Sequence, residues 1–298
     1  MSGRDEPRCR LDVLLSSTGL FETREKAQRA IMAGEVIVDG VPQTKPGARV
    51  SRSARIELKP TKATYVSRGG EKLEKALREF DLDVEGKTAI DVGASTGGFT
   101  HCLLCHGAKR VYAVDVGYGQ LAWELRNDSR VVVLERTNIR YLKHDAVPEK
   151  VDICTIDVSF ISIEKFLGHL LTFLTPEAAV VALVKPQFEA GRHKVGKGGV
   201  VRDPEVHVQT LVRVMGHMME CGLEIRGVTH SPVRGPAGNI EFLVYAVKGR
   251  QGGCGVGALE ARVREVVLEA HRDLGEHGSG GDLHAPPRAA DVDRLPRR

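Results

Sequence analysis

Thr88-Ala-Ile-Asp91-Val-Gly93-Ala-Ser95-Thr96-Gly97-Gly98-Phe99 is the stretch that decides how this chain folds. A short apolar run, Thr88–Val92, ends in a glycine-rich turn, and a helical pattern follows. Four more apolar runs come after it: Arg110–Val116, Val131–Leu134, Val151–Val158 and Ala178–Val184. Helical segments such as Lys72–Phe80, Ile163–Phe173 and Glu205–Cys221 alternate with them. Strands that are apolar along their whole length are covered on both faces, which means a doubly wound parallel sheet. Two late strands, Glu224–Thr229 and Ile240–Val247, are joined by the turn-rich Ser231-Pro-Val-Arg-Gly-Pro-Ala-Gly238. That connection is short enough for antiparallel pairing. The expectation is an α/β, Rossmann-like fold with a seven-stranded, mostly parallel sheet.

The region upstream reads differently. Residues 10–20 and 24–34 carry helical periodicity, with Thr23 as N-cap and Gly34 as stop signal. Glu35–Val38, Ala48–Val50 and Arg55–Leu58 read as short strands, and Asp39-Gly40 as a tight turn. Residues 1–60 therefore form a small α+β domain, 61–66 a linker, and 67–274 the α/β domain. A helix is expected at Ala258–Ala270, and the Gly-, Pro- and Arg-rich stretch 275–298 reads as a disordered tail. Two domains suit a length of 298 residues. Residues 1–66 hold 12 basic and 8 acidic residues, whereas the remainder holds 31 of each. The whole excess charge of +4 thus sits at the N-terminal end, as a partner with many phosphates would favour.

Composition also excludes several classes. No apolar run approaches the roughly 18–20 residues of a membrane-spanning helix. The start, MSGRDEPRCR, lacks a signal-peptide core, so a cytoplasmic location is expected. Six cysteines are too few for a disulfide scaffold. Cys102-Leu-Leu-Cys105-His106 matches the haem-attachment string, but two cysteines three apart also share one helix face, and that reading is preferred. A structural zinc site usually needs a second ligand pair, so no metal is expected.

The chemistry gathers at strand ends. The glycines at 93, 97 and 98 do not make G-x-G-x-x-G, and no Gly-Lys-Ser/Thr follows for a P-loop. A loop of this kind fits S-adenosylmethionine, with Asp91, Gly93, Ser95, Thr96, Gly97, Gly98 and Phe99 as candidate contacts; a tight turn with no ligand would also suit it. Asp115 ends the next strand, 24 residues after Asp91, where a carboxylate can accept both ribose hydroxyls of a nucleoside. Asn138, after the third strand, is a candidate for the adenine end or a plain turn residue. Asp157 and Lys185 close the fourth and fifth strands, where ligands of open α/β sheets bind. Asp157 also stands where base-amine methyltransferases carry Asn/Asp-Pro-Pro-aromatic, which is absent here. Cys154 is expected too deep for a nucleophile. A hydroxyl oxygen is the better methyl acceptor.

Taken together, these pieces resemble the FtsJ-type ribose 2′-O-methyltransferases, class I enzymes that use S-adenosylmethionine. Their Lys-Asp-Lys-Glu tetrad maps onto Lys72 in Ser67-Arg-Gly-Gly-Glu-Lys72-Leu73, onto Asp157 and Lys185, and onto Glu241 in Asn-Ile-Glu-Phe-Leu243. The upstream module resembles an S4 RNA-binding domain through Arg10-Leu-Asp-Val-Leu-Leu15, Thr23-Arg-Glu-Lys-Ala27, Ile31, Gly34, Val36, Val38 and Gly40. An S4 module ahead of an FtsJ-like domain is the arrangement of the hemolysin A (TlyA) family. The resemblance implies an enzyme acting on a cytidine of 23S, and in some members also 16S, ribosomal RNA or subunits; a monomer is expected by default, since no unusual apolar surface can be read from the sequence. It implies RNA contacts from Arg10, Arg24, Lys26 and Arg29 on the module's helices, with Arg49, Arg52 and Arg68. With aromatics only 5% of the chain, shape recognition outweighs base stacking.

A ribose hydroxyl is a weak nucleophile, so attack needs positioning and a route for its proton. The expectation is that Lys185 orients or deprotonates it, that Asp157 and Glu241 fix the lysines, and that Lys72 holds the hydroxyl or a neighbouring phosphate. Two other readings stand beside this one. A cytolysin would suit the family's hemolysin name, but nothing amphipathic or exported supports it. An RNA-binding regulator with a dead enzyme domain would suit the S4 module, but all four tetrad positions are intact.

Overall fold

The computed structural model describes residues 8–21, 23–32, 34–58, 65–249 and 256–275. Most of the expected linker and the tail after residue 275 lie outside these. The chain divides into two compact units, 1–64 and 65–298.

In the first unit, β1 (Arg8–Arg10) precedes α1 (Leu11–Ser17) and α2 (Arg24–Met32). Strands β2 (Val36–Val38), β3 (Val41–Gln43), β4 (Arg49–Ser51) and β5 (Ile56–Leu58) follow. β1 pairs with β4, and β3-β2-β5 form an antiparallel sheet. Sequence patterning misses β1 and β3, each of three residues, too short to show alternation. Leu11, Leu14 and Leu15 pack on Ala27, Ala30 and Ile31, the i, i+3, i+4 faces of two helices. The Thr23 hydroxyl accepts from Lys26 N at 3.2 Å and so caps α2. Asp39 and Gly40 both have positive φ and close the β2–β3 hairpin, as a two-residue turn requires.

The second unit opens with α3 (Gly69–Glu79) and β6 (Thr88–Val92). Then come α4 (Gly98–Cys105), β7 (Arg110–Val114), α5 (Trp123–Arg126), β8 (Val131–Leu134) and β9 (Val151–Ile156). The expected helix Ile163–Phe173 is instead a 3₁₀ turn, a short α6 (Leu167–Leu170) and another 3₁₀ turn; at Phe166 the backbone leaves helical values (φ −139°). β10 (Leu174–Val184), α7 (Pro186–Glu189), α8 (Pro204–Glu220), β11 (Leu223–His230), β12 (Phe242–Lys248) and α9 (Val256–Asp273) complete it.

The seven strands run in the order β11-β12-β10-β9-β6-β7-β8. β12 is antiparallel to both β10 and β11, and the other pairings are parallel. Ile90, Val92, Val180, Ala182 and Val184 face one core with α8 and α9. Ala89, Val181 and Leu183 face the other, beside Leu73, Leu77, Phe99 and Leu103 of α3 and α4. Burial on both faces explains why the strand residues read as unbroken apolar runs. No helix among the described residues is long and apolar enough to cross a membrane.

Candidate active site

Strand register brings the tetrad together. β9 lies parallel to β6 with Ile156 opposite Val92, so Gly93 and Asp157 emerge side by side. β12 runs antiparallel to β10 with Phe242 opposite Val184, so Glu241 and Lys185, one step further out, leave by the same edge. Lys72 reaches this edge from the first turns of α3. Lys185 Nζ lies 2.6 Å from Asp157 Oδ1 and 3.0 Å from Ser159 Oγ. Lys72 Nζ lies 2.6 Å from Glu241 Oε2, with the carboxylate only 1% exposed. Two lysine–carboxylate pairs thus line one cavity of about 520 Å³, with Ser67, Arg68, Phe160, Gln187, Phe188 and Asn239 among its other walls.

A second hollow of about 640 Å³ opens over the ends of β6, β7 and β8. Gly93, Ser95, Asp115, Asn138 and Asp157 line it. Asp115 accepts from Ser95 N at 2.8 Å and Gly117 N at 2.6 Å, which ties the glycine loop to the end of β7 and leaves further lone pairs for a ligand. Asn138 both lines the hollow and caps a 3₁₀ turn, its Oδ1 accepting from Arg140 N at 3.1 Å. The two hollows share Gly93, Ser95, Asp157, Ser159 and Phe160, so a group held in one faces the tetrad in the other.

Two glycines are required by close approach. A Cβ on Gly93, at φ +86°, would stand 2.5 Å from the Asp157 carbonyl oxygen. One on Gly98 would stand 2.8 Å from Gly70 N and 2.3 Å from Ser67 Oγ, so only glycine lets the starts of α3 and α4 touch.

Two of the expected cofactor contacts are displaced. Asp91 is fully buried beneath the loop and lines neither hollow. Its oxygens accept from Thr100 Oγ1 at 2.7 Å and Thr155 Oγ1 at 2.9 Å. Strand alternation explains this: Asp91 points to the α4 face, not out of the strand end. It positions the loop by joining α4 to β9. Gly97 packs against Leu121 and Leu125 and likewise lines neither. Thr96, Gly98 and Phe99 line the tetrad cavity rather than the second hollow. Phe160 and Phe188 went unforeseen; their rings lie 4.9 Å apart between centroids, tilted by 48°, and Phe160 is 89% exposed at φ +65°. The only signal for Phe160 was its place just past the strand end.

Burial raises the Asp91 carboxyl to about 6, against the two threonine bonds that lower it. A raised acid binds its proton more tightly in the folded state. The stability this gives is full below about pH 4 and lost as pH rises through about 6, on a scale of about 3 kcal/mol. Asp91→Asn cannot titrate. Wild type should therefore lose stability relative to the variant between pH 4 and pH 6.5, read by thermal melts. A stability difference independent of pH would refute this.

The cysteine string lies on α4. Cys102 is buried, and burial pushes its thiol up to about 12, while Cys105 is exposed. His101 Nδ1 instead accepts from Val66 N at 3.2 Å. Cys154 is fully buried, with its thiol also pushed up by burial, and lines neither hollow. Among the described residues no group of three or more metal-ligating side chains occurs.

The expected RNA contacts divide. Arg68 lines the tetrad cavity. Arg10 and Arg24 turn to the buried Asp12, at 3.0 and 2.9 Å, and hold its carboxyl far below the usual range. Their first task is to balance a buried charge, although both remain about half exposed. Lys26, Arg49 and Arg52 are exposed; the side chain of Arg29 lies outside the described residues.

The FtsJ-like methyltransferase family matches residues 65–248, and the S4 domain matches residues 9–56. YqxC of Bacillus subtilis (strain 168) is 52% identical over 268 residues, 90% of this chain and 95% of that protein. The 16S/23S rRNA (cytidine-2′-O)-methyltransferase TlyA of Mycobacterium tuberculosis H37Rv is 43% identical over 263 residues, 88% of this chain and 98% of its own length. The solved structure of a hemolysin-type protein from Streptococcus thermophilus is 45% identical, with a TM-score of 0.71, covering 90% of this chain and 97% of that one. With both units matched, the chain belongs to the FtsJ-like methyltransferases, in the TlyA family that carries an S4 domain.

Proposed function

We propose that this protein transfers the methyl group of S-adenosylmethionine to the 2′-hydroxyl of a cytidine in ribosomal RNA. The observation that carries this reading is the pair of lysine–carboxylate contacts in a cavity that joins a second hollow at Asp157. The second hollow suits the cofactor: Asp115 stands at one side for ribose hydroxyls, and Gly93, with no Cβ to meet the Asp157 backbone, brings the loop and the end of β9 together as its wall. The bound cofactor supplies a methyl group on a sulfonium, a leaving group that needs no acid. The chain's residues supply the rest.

Lys185 donates to the hydroxyl oxygen and aims a lone pair toward the shared wall of the two hollows. As the new oxygen–carbon bond forms, Lys185 Nζ passes one proton to Asp157 Oδ1, 2.6 Å away, and takes up the proton of the hydroxyl. Ser159 fixes the ammonium from a second direction. Lys72, held by Glu241, and Arg68 present positive charge to the phosphate beside the target. Phe160, exposed at the mouth, offers a stacking face to a base turned out of its helix. All four tetrad groups come from one chain, so we take the active species to be a monomer. Ribosomal RNA as substrate puts its work in the cytoplasm.

The test is transfer of labelled methyl from S-adenosylmethionine to ribosomal subunits that lack the modification, with the label located by a ribose-methylation stop assay. Label on a single cytidine ribose is expected. No label on either subunit, with the cofactor bound, would overturn the proposal.

A further inference from the structure

A third hollow, of about 500 Å³, lies outside the tetrad cavity and the cofactor hollow. Arg202, Arg234, Arg272 and His271 line it, and among the described residues no carboxylate does. It shares its two framing segments with the tetrad cavity. Gly199 faces the tetrad, while Val200, Val201 and Arg202 face the third hollow. Pro236, Ala237, Asn239 and Glu241 face the tetrad, while Arg234, Gly238 and Ile240 face the third hollow. The Asn239 side chain locks these segments together, accepting from Val201 N and donating to Gly199 O, each at 2.9 Å.

Arg234 is a fixed charge. Its Nε donates to Leu274 O at 2.8 Å and its Nη1 to Gly238 O at 3.0 Å, and Nη2 also bonds Leu274 O. Two of its five N–H groups remain for a ligand. His271 at its wall meets the buried His207, 3.0 Å away, with His207 Nε2 against Val201 O. Arg202 and Arg272 are exposed arms on either side. Asp203 caps α8 through Glu205 N, while Asp273 meets His230 and also Arg272 Nε at 3.2 Å, an exposed pair that a phosphate on Arg272 would have to displace. Guanidinium forks around a hollow with no carboxylate among its described lining residues suit an oxyanion with several acceptor oxygens.

We propose that this hollow holds a backbone phosphate of the RNA substrate, next along the strand from the nucleotide in the tetrad cavity. Arg234 is the preset element, and Arg202 and Arg272 close on the phosphate. The inference rests on the methyltransferase reading for its substrate, since the two hollows share walls and one strand would cross both. It assigns a grip separate from the S4 module and the tetrad. Such contacts fix register on the RNA and make affinity depend on salt.

The test uses the full chain with ribosomal subunits lacking the modification. Arg202→Ala/Arg272→Ala changes only exposed side chains and leaves the Arg234 anchor intact. It should weaken subunit binding about tenfold or more, the scale of a charge-assisted phosphate contact. The plot of log affinity against log salt should become less steep by about 0.7, the release from one single-strand phosphate. Arg202→Lys/Arg272→Lys should recover most of that slope, and cofactor affinity should stay at the wild-type value. Unchanged affinity and slope in the alanine variant would overturn the phosphate site. The binding arm and the methyl-transfer arm are independent. Wild type that binds with the expected slope but transfers no methyl would support the site and overturn the reaction instead.

Discussion

Lys185→Ala should lower methyl transfer by about 10³-fold, roughly 4 kcal/mol in the barrier, with cofactor affinity within a few-fold of wild type. The size follows from what one side chain does here. Lys185 Nζ is the cationic donor at the shared wall of the two hollows, 2.6 Å from Asp157 and 3.0 Å from Ser159. Removing it takes away the orienting hydrogen bond and the path of the proton together. The proposed cofactor contacts are other groups, chiefly Asp115 and the Gly93 loop that line the second hollow, so on this reading the loss belongs to the chemical step. A single-turnover measurement at saturating subunits reads it directly. Lys185→Arg separates the two roles. Arginine can keep the ion pair with Asp157 but cannot give up its proton. A variant as slow as the alanine one supports the proton relay; activity near wild type would leave Lys185 as an orienting charge only. Transfer by Lys185→Ala within tenfold of wild type would remove it from the mechanism.

The parts of this site that sequence reveals are those fixed by strand ends. Asp115, Asp157 and Lys185 each stop an apolar run, and a polar residue there has few places to go except the carboxyl edge of the sheet. Asp91 looks the same in sequence, yet it sits one residue short of the strand end. In the sheet register it stands two positions below Asp115 and Asp157, and at that depth it lies under α4 against two threonines. Glu241 is legible only through its family pattern, because an antiparallel strand begins, rather than ends, at this edge. Phe160, Arg202 and Arg234 lie on loops, and Gln187 and Arg272 on helices α7 and α9, whose placement depends on packing between distant segments. Arg10 and Arg24 show the converse. Their helical placement suggests a solvent-facing grip, but a buried aspartate two and twelve residues away claims them first. Local pattern records charge and period; it does not record which buried partner is within reach.

Glu241→Ala should cost about 3–5 kcal/mol of stability, the effect of leaving one member of a buried ion pair behind. Lys72 is only 8% exposed, and Glu241 Oε2 is its partner at 2.6 Å. The carboxylate also sits against Gly235, where a Cβ would stand 2.4 Å from Oε1, and the Glu241 carbonyl accepts from Ser231 N at 2.8 Å. A cavity beside an unpaired ammonium forces Lys72 either to draw in water or to lose its proton, and both destabilise the fold. For a unit of this size the melting temperature should fall by about 6–20 °C. Lys72→Met removes the orphan charge. The pair Lys72→Met/Glu241→Ala should therefore be more stable than Glu241→Ala alone, a coupling that a double-mutant cycle measures. Methyl transfer should stay lost in the double variant, since Lys72, the charge proposed to meet the phosphate beside the target, is gone. Recovered stability without recovered activity would show that the burial of this pair is kept for function at a cost to the fold. Additive melting shifts for the two substitutions would instead show that Lys72 and Glu241 do not meet in solution.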